Sequence, residues 1–187
     1  MKKIIIDQFD EHLGVSIKSK NNLIDDIVII SKVVIKTIKS GNKLIFCGNG
    51  GSAADSQHIA AEFVGRFKKE RKGLPAIAIT TDTSIITAIG NDYGYDKTFQ
   101  RQIESIANKG DLLFGITTSG NSLNVINGIK AAKKIGCKTV GFSGNNGGEM
   151  KKYCDLSIIV PSNDTARIQE IHILIGHIIC EITDQKI

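Results

Sequence analysis

The first 40 residues carry a hydrophobic pattern that is typical of amphipathic helices. Between residues 22 and 39, apolar side chains return every three or four positions, which places them on one face of a helix. These positions are Leu23, Ile27, Ile30, Val34 and Ile38. The preceding stretch, residues 4–18, shows the pattern more weakly, and Gly14 interrupts it. We therefore predict two helices in an N-terminal helical segment, residues 1–40.

From residue 43 the pattern changes to short, unbroken apolar runs that alternate with helical stretches. Strands are predicted over residues 44–47, 76–79, 112–116, 139–142 and 157–160. Helices are predicted over residues 53–66, 83–90, 97–108, 122–135, 146–152 and 164–183. Unbroken apolar runs suit strands buried on both faces, so the alternation predicts a doubly wound α/β fold with a parallel sheet. No linker or repeat interrupts it, and we predict one domain over residues 1–187, with the α/β core in 41–187.

Composition narrows the class of protein. Hydrophobic residues make up 41% and charged residues 23% of the chain, the balance of a globular protein. No apolar run approaches the ~20 residues of a membrane span, and the one near the N-terminus is too short for a signal peptide. The net charge of +5 comes from scattered lysines with 5% aromatics, which argues against nucleic acid as a partner. The four dispersed cysteines suit reduced, buried thiols, so we predict a cytoplasmic protein without membrane contact.

Two loops at the predicted carboxyl edge of the sheet suit an anionic ligand. Residues 48–52 contain three glycines, and Ser52 stands where a helix N-cap is expected. Residues 117–122 place four hydroxyl side chains before the next helix, a good cradle for a phosphate held without a metal. Ordinary capping explains either loop alone. Two of them on one sheet edge favour a phosphate-bearing ligand, although neither is a Walker loop.

Two helices carry residues that could move protons or bind a metal. His58 and Glu62 are four apart on the helix after the glycine loop, a spacing that usually means a surface ion pair. Their helix is largely apolar, which favours a role in acid/base chemistry or metal binding. The C-terminal helix is apolar nearly all round and therefore buried, often between subunits. Gln169 and His177 within it could complete a tetrahedral zinc site with the first pair.

These motifs together resemble the phosphoheptose isomerases of the sugar-isomerase (SIS) domain superfamily. The resemblance rests on residues 48–55 with His58 and Glu62, on residues 117–122 and on residues 167–172. It implies a three-layer α/β sandwich of the flavodoxin-like or Rossmann-like kind, with a central five-stranded parallel sheet. It also implies a homotetramer with one zinc ion per subunit. The implied reaction converts sedoheptulose 7-phosphate to D-glycero-D-manno-heptose 7-phosphate through an enediol, the first step of nucleotide-heptose synthesis for lipopolysaccharide core or capsule.

The resemblance also implies roles for individual residues. The zinc ligands would be His58, Glu62, Gln169 and His177, with Glu62 as the catalytic base and His177 as its acid/base partner. The substrate-binding residues would be Asn49, Gly50, Gly51, Ser52, Glu62, Asn91, Asp92, Thr117, Thr118, Ser119, Ser122 and Gln169. The chain departs from the family pattern at Ala166, where relatives carry an aspartate.

Helix geometry and function both leave alternatives open. Gln169 and His177 are eight residues apart, about 12 Å along a helix and ~80° around it. Either their side chains lean towards each other, or a neighbouring subunit completes the site. Within the same superfamily, a scaffold tetramer that binds a bacterial replication initiator is a rival, as is a sensor or isomerase of another sugar phosphate.

Overall fold

A parallel five-stranded sheet forms the centre of the protein, as the apolar runs predict. In a computed structural model that describes residues 1–187, the strand order is β2-β1-β3-β4-β5, and every neighbouring pair is parallel. The strands are β1 (Leu44–Gly48), β2 (Ala76–Ala78), β3 (Leu112–Ile116), β4 (Lys138–Gly144) and β5 (Leu156–Val160). Residues of β1 and β3 are buried throughout, whereas β2 lies at an edge and is partly exposed. The predicted number and placement of strands are confirmed.

Helices cover both faces of this sheet and make three layers. They are α1 (Lys2–Lys39), α2 (Gly51–Val64), α3 (Thr83–Tyr93), α4 (Thr98–Ile106), α5 (Leu123–Ile135) and α6 (Thr165–Lys186). Along β1, Leu44 and Phe46 contact the cluster formed with α1, α2 and α6. Ile45 and Cys47 contact the cluster formed with α4 and α5. The central strands β1 and β3 thus bury both faces, which is why their sequences do not alternate.

The N-terminal segment is one helix rather than the predicted two. Helix α1 runs without interruption for 38 residues and passes through Gly14. A helical glycine costs only about 1 kcal/mol relative to alanine. The buried Val15 and Leu23 follow it and pack into the core, and His12 before it contacts Glu170 of α6 at 2.7 Å. These tertiary contacts outweigh that cost.

The predicted helix over residues 146–152 is also wrong. Only Met150–Lys152 forms a single 3₁₀ turn. Gly147 and Gly148 have φ values of +90° and +56°, which a right-handed helix does not allow. The segment is a loop at the carboxyl end of β4 and packs against the loop that follows β3. None of the six helices combines the length and apolar composition that a membrane span requires.

Candidate active site

The N-cap of α2, in the loop after β1, is a glycine and not the predicted Ser52. Gly50 is the N-cap of α2 with φ of +56°, a conformation that L side chains rarely adopt. Ser52, the expected cap, lies inside the first turn of α2 and is 3% exposed. A Cβ on Gly48 would lie 2.7 Å from the carbonyl oxygen of Ser52. The two glycines therefore allow the chain to double back closely onto the start of the helix.

The loop after β3 concentrates hydroxyl groups. Thr117 is buried, and its Oγ1 lies 2.8 Å from Ser122 Oγ and 3.4 Å from Ser119 Oγ. Ser122 is the N-cap of α5, but its side chain makes no capping hydrogen bond. The first-turn N–H groups of α5 are therefore not capped by it, which suits an anion. Gly120 fits only because its φ is +68° and it has no Cβ against the loop after β4.

These two loops and α6 enclose one pocket of about 330 Å³. Its polar lining contains nine residues that the sequence singled out: Asn49, Gly50, Gly51, Ser52, Thr117, Thr118, Ser119, Ser122 and Gln169. Three other predicted substrate residues, Glu62, Asn91 and Asp92, do not line it. Asn91 and Asp92 are exposed at the end of α3, where the Asn91 amide donates to Asp92 Oδ1 at 2.8 Å. Thr165 also lines the pocket, and sequence reasoning missed it.

A second cluster brings α2 and α6 together. One ligand atom from each of His58, Glu62 and His177 lies within 4.8 Å of the others. His58 Nε2 is 3.3 Å from Glu62 Oε1 and 3.2 Å from His177 Nε2. All three residues belong to one chain, so their meeting needs no contribution from a neighbouring subunit. The alternatives left open by helix geometry concern Gln169 and His177, and this cluster does not include Gln169.

Gln169 lies on α6, two turns before His177. A Cβ on Gly51 would lie 2.6 Å from Gln169 Cδ, so the amide packs directly on the glycine loop. Helix α6 begins after Asp164, whose carboxylate accepts the Arg167 backbone N–H at 2.9 Å. This cap fixes the start of the helix and hence which face carries Gln169. Ala166 is exposed beside it.

The segment after α2 holds the cluster from outside. The Phe67 ring stacks on the His177 imidazole, with ring centroids 5.4 Å apart. Arg71 donates to the carbonyl oxygens of Glu62 and Phe63, at 3.0 and 2.9 Å, and to Asp184 at 2.7 Å. Residues from α2 and α6 are thereby joined at their carboxyl ends. Sequence reasoning missed this because residues 65–75 have no regular periodicity; a buried arginine is not recognisable there.

Two titratable groups near the site, the half-buried Asp55 and the buried His172, have shifted pKa values. Burial raises the pKa of Asp55 to about 6, and the nearby His58 opposes that rise; Asp55 Oδ2 has no hydrogen-bond partner. Burial lowers the pKa of His172 to about 4, and a hydrogen bond to the Ser143 carbonyl at 3.1 Å partly opposes this. His172 is therefore a neutral core histidine that anchors α6 to β4.

The donor set of the cluster fits a zinc ion. Ligand atoms at zinc–ligand distances of 2.0–2.1 Å in a tetrahedron are about 3.3 Å apart, which matches the two separations from His58 Nε2. Two imidazole nitrogens facing each other at 3.2 Å cannot both carry a proton without repulsion. Two neutral imidazoles and a carboxylate are ligands that zinc prefers. The cluster is therefore a candidate metal centre.

Comparison with known proteins adds a family. Residues 10–144 match the family model described as SIS domain. The phosphoheptose isomerase of Aliarcobacter butzleri is 56% identical over 187 residues, covering 100% of this chain and 99% of the relative. The solved phosphoheptose isomerase of Neisseria gonorrhoeae superposes with a TM-score of 0.93 at 39% identity, over 98% of both chains. That of Francisella tularensis gives 0.95 at 35% identity, over 98% and 97% of the two chains.

Proposed function

The chain belongs to the SIS-domain family and, within it, to the phosphoheptose isomerases, and we propose that it interconverts sedoheptulose 7-phosphate and D-glycero-D-manno-heptose 7-phosphate. The observation that carries this proposal is a hydroxyl-lined pocket and the cluster of His58, Glu62 and His177 on one chain. Relatives 50% to 58% identical carry the isomerase name, which favours this activity over a replication-initiator scaffold or a sensor. The product would enter nucleotide-heptose synthesis for lipopolysaccharide core or capsule.

We assign the phosphate of the sugar to the loop after β3. The Thr117 hydroxyl lies within 3.4 Å of the hydroxyls of Ser119 and Ser122. The start of α5 adds N–H groups and the positive end of a helix dipole. The glycine loop and Gln169 line the opposite side of the same pocket. Holding the phosphate there fixes the position of the far end of the sugar, which lowers the entropic cost of reaching the reactive geometry.

The isomerisation moves a proton between two adjacent carbons. It needs a base that takes this proton and an acid that protonates the oxygens of these carbons. We assign Glu62 as the base that takes the proton from the carbon next to the carbonyl, and His177 as the acid that serves the oxygens. Electrons of the broken C–H bond form the enediol double bond while the carbonyl oxygen takes a proton from His177. Glu62 then returns its proton to the neighbouring carbon, and the hydroxyl on the first carbon gives its proton to His177 and becomes the aldehyde. Phe67 packs on one face of His177 and fixes the orientation of its ring.

We propose one zinc ion per subunit, bound by His58, Glu62, His177 and Gln169. When bound, zinc would polarise the carbonyl of the sugar and stabilise negative charge on the enediolate oxygens. Glu62 has two carboxylate oxygens, and Oε1 faces His58; the other oxygen remains for proton transfer. A metal-bound carboxylate is a weaker base than a free one. Glu62 can therefore serve as both ligand and base only if it lies close to the carbon that loses the proton.

We also propose a homotetramer that forms through α1 and α6. Apolar side chains on α1 are exposed in the single chain, among them Ile4, Phe9 and Ile17. An apolar groove of about 460 Å³ lies between α1 and α6. Covering such surface is favourable. Asn91 and Asp92, exposed outside the pocket of their own chain, would be supplied to a neighbouring site in such an assembly.

The whole chain would fold as one domain and act in the cytoplasm, where its four free thiols stay reduced.

The test is turnover of sedoheptulose 7-phosphate with and without a chelator, for wild type and for Glu62→Gln. Loss of a positioned base is expected to lower kcat by about 10²–10⁴-fold. Glu181→Gln is the matched control. It is the same substitution on the exposed side of α6, where Glu181 pairs with Lys68. No product from wild type at high enzyme concentration would overturn the assignment of activity. Full turnover by Glu62→Gln would overturn the mechanism.

A further inference from the structure

Asn49 in the glycine loop is held by residues outside the assigned site. Its Nδ2 donates to Asn124 Oδ1 at 2.9 Å, and Asn124 Nδ2 donates back to Asn49 Oδ1 at 2.9 Å. The Tyr95 hydroxyl donates to the same Asn49 oxygen at 2.9 Å. The Asn49 side chain therefore has both carbonyl lone pairs occupied and one N–H left to offer. That leftover donor belongs to a residue that lines the pocket.

Asn124 is buried and fully used in this arrangement. It is 3% exposed and lies in the first turn of α5. Its Oδ1 also accepts the Val125 backbone N–H at 3.0 Å, and its Nδ2 lies 3.5 Å from Thr98 Oγ1. A buried amide is costly unless its polar atoms are paired, and here every partner points to one orientation of the amide. The Asn124 amide therefore has a single orientation, and its two hydrogen bonds fix the orientation of the Asn49 amide.

The pair also joins the two loops that enclose the pocket. Asn49 precedes the N-cap of α2, and Asn124 follows the N-cap of α5 by two residues. A reciprocal amide pair has two parallel hydrogen bonds, so it resists both rotation and sliding of one loop against the other. The distance between the glycine loop and the hydroxyl loop is thus set partly by this contact.

We propose that Asn124 is a positioning residue for the isomerisation, which aims the free N–H of Asn49 at an oxygen of the bound sugar phosphate. Tyr95 assists by holding the Asn49 carbonyl oxygen from the solvent side. The proposal rests on the proposed function, since it assumes that the pocket holds the substrate. It differs from a purely structural role, because a residue that only joined loops would change stability and leave catalysis by the folded enzyme unchanged.

The test is a double-mutant cycle on kcat/KM. Asn124→Asp keeps the shape but replaces the amide that donates to Asn49 Oδ1 with a second acceptor, and it is expected to lower kcat/KM about 10- to 100-fold. In an Asn49→Ala background the same change is expected to alter kcat/KM by less than about 2-fold, because the residue it acts through is gone. An equal loss in both backgrounds, or no loss in wild type, would overturn the proposal.

Asn127→Asp is the matched control. It makes the same substitution on the same helix, where the Asn127 amide donates to the Asp96 carbonyl at 3.0 Å and does not contact Asn49. We expect its kcat/KM to stay within about 2-fold of wild type. Should Asn124→Asp fail to fold, Tyr95→Phe removes one hydrogen bond from the same oxygen at an exposed side chain. A fall in its kcat/KM that disappears in the Asn49→Ala background supports the proposal, and an unchanged value overturns it.

Failure of the proposed function is distinguishable from failure of this inference. If wild type does not turn over sedoheptulose 7-phosphate, the proposed function fails. The cycle is then measured on the Kd of a hexose phosphate, whose sugar oxygens would reach Asn49 when the loop after β3 holds its phosphate. Non-additive losses in Kd would support positioning by Asn124, and additive losses would overturn it.

Discussion

Gly51→Ala is expected to impair the site while leaving the fold intact. A Cβ at this position would lie 2.6 Å from Gln169 Cδ and 2.7 Å from Gln169 Oε1. Gly51 is the first residue of α2 and does not have a left-handed φ, so its backbone accepts alanine. The methyl group therefore acts on Gln169, whose flexible side chain withdraws at little cost in stability.

The size of the displacement follows from the distances. Carbon atoms in contact are normally about 3.6 Å apart, so the Gln169 amide has to move back by about 1 Å. Gln169 lines the pocket and is proposed to bind both substrate and metal. A misplacement of about 1 Å at a positioning group costs up to about 10²-fold in rate, and we expect kcat/KM to fall by about that factor. The free energy of unfolding should change by less than about 0.5 kcal/mol.

The assay pairs turnover with urea unfolding for wild type, Gly51→Ala, Gln169→Ala and the double variant. Because the methyl group acts through Gln169, Gly51→Ala should have little further effect once Gln169 is alanine. Wild-type kcat/KM in Gly51→Ala would refute the reasoning. So would a loss of equal size in the Gln169→Ala background, since it would show that the methyl group disturbs the glycine loop itself.

Three further predictions concern stability. Arg71→Leu leaves the buried Asp184 carboxylate without its ion pair and should lower the free energy of unfolding by about 3–5 kcal/mol in urea titrations; an unchanged midpoint would contradict it. Burial alone would raise the pKa of Asp184. The backbone N–H groups of Lys68 and Lys69, in the segment after α2, and the Arg71 guanidinium hold this pKa below its usual value. Its contribution is therefore complete above about pH 4 and lost as the pH falls below that, and Asp184→Asn should flatten this part of the acid-unfolding curve. His172 has its pKa lowered to about 4, so the unfolded chain takes up its proton first, and wild type should lose about 3 kcal/mol between pH 6.5 and 4. His172→Gln, which retains an N–H donor for the Ser143 carbonyl, should lack that loss; an identical pH profile would contradict this.

Local pattern was sufficient for the sheet and for the loops at its edge. Unbroken apolar runs identified all five strands, because a strand buried on both faces has no polar alternation. The rule that parallel strands end at one edge then brought residues 48–52 and 117–122 together, and both line one pocket. Predictions failed where contacts between distant segments outweighed a local conformational preference. Gly14 lies inside a continuous helix because the tertiary contacts of its neighbours outweigh its propensity.

The same contrast holds for the site. From sequence alone, His58 and Glu62 were determined to share a helix face, because four residues span about one turn. That His177 meets them within one chain was decided by the packing of α6 against α2, which no spacing along the chain encodes. The left-handed Gly147 and Gly148, the buried Arg71 and the amide pair of Asn49 with Asn124 likewise arise from contacts between segments distant in sequence. Periodicity and spacing along the chain thus determined the elements and the candidate chemistry of this protein. Only the tertiary structure decided which candidates meet, because the energies that join them act across space rather than along the chain.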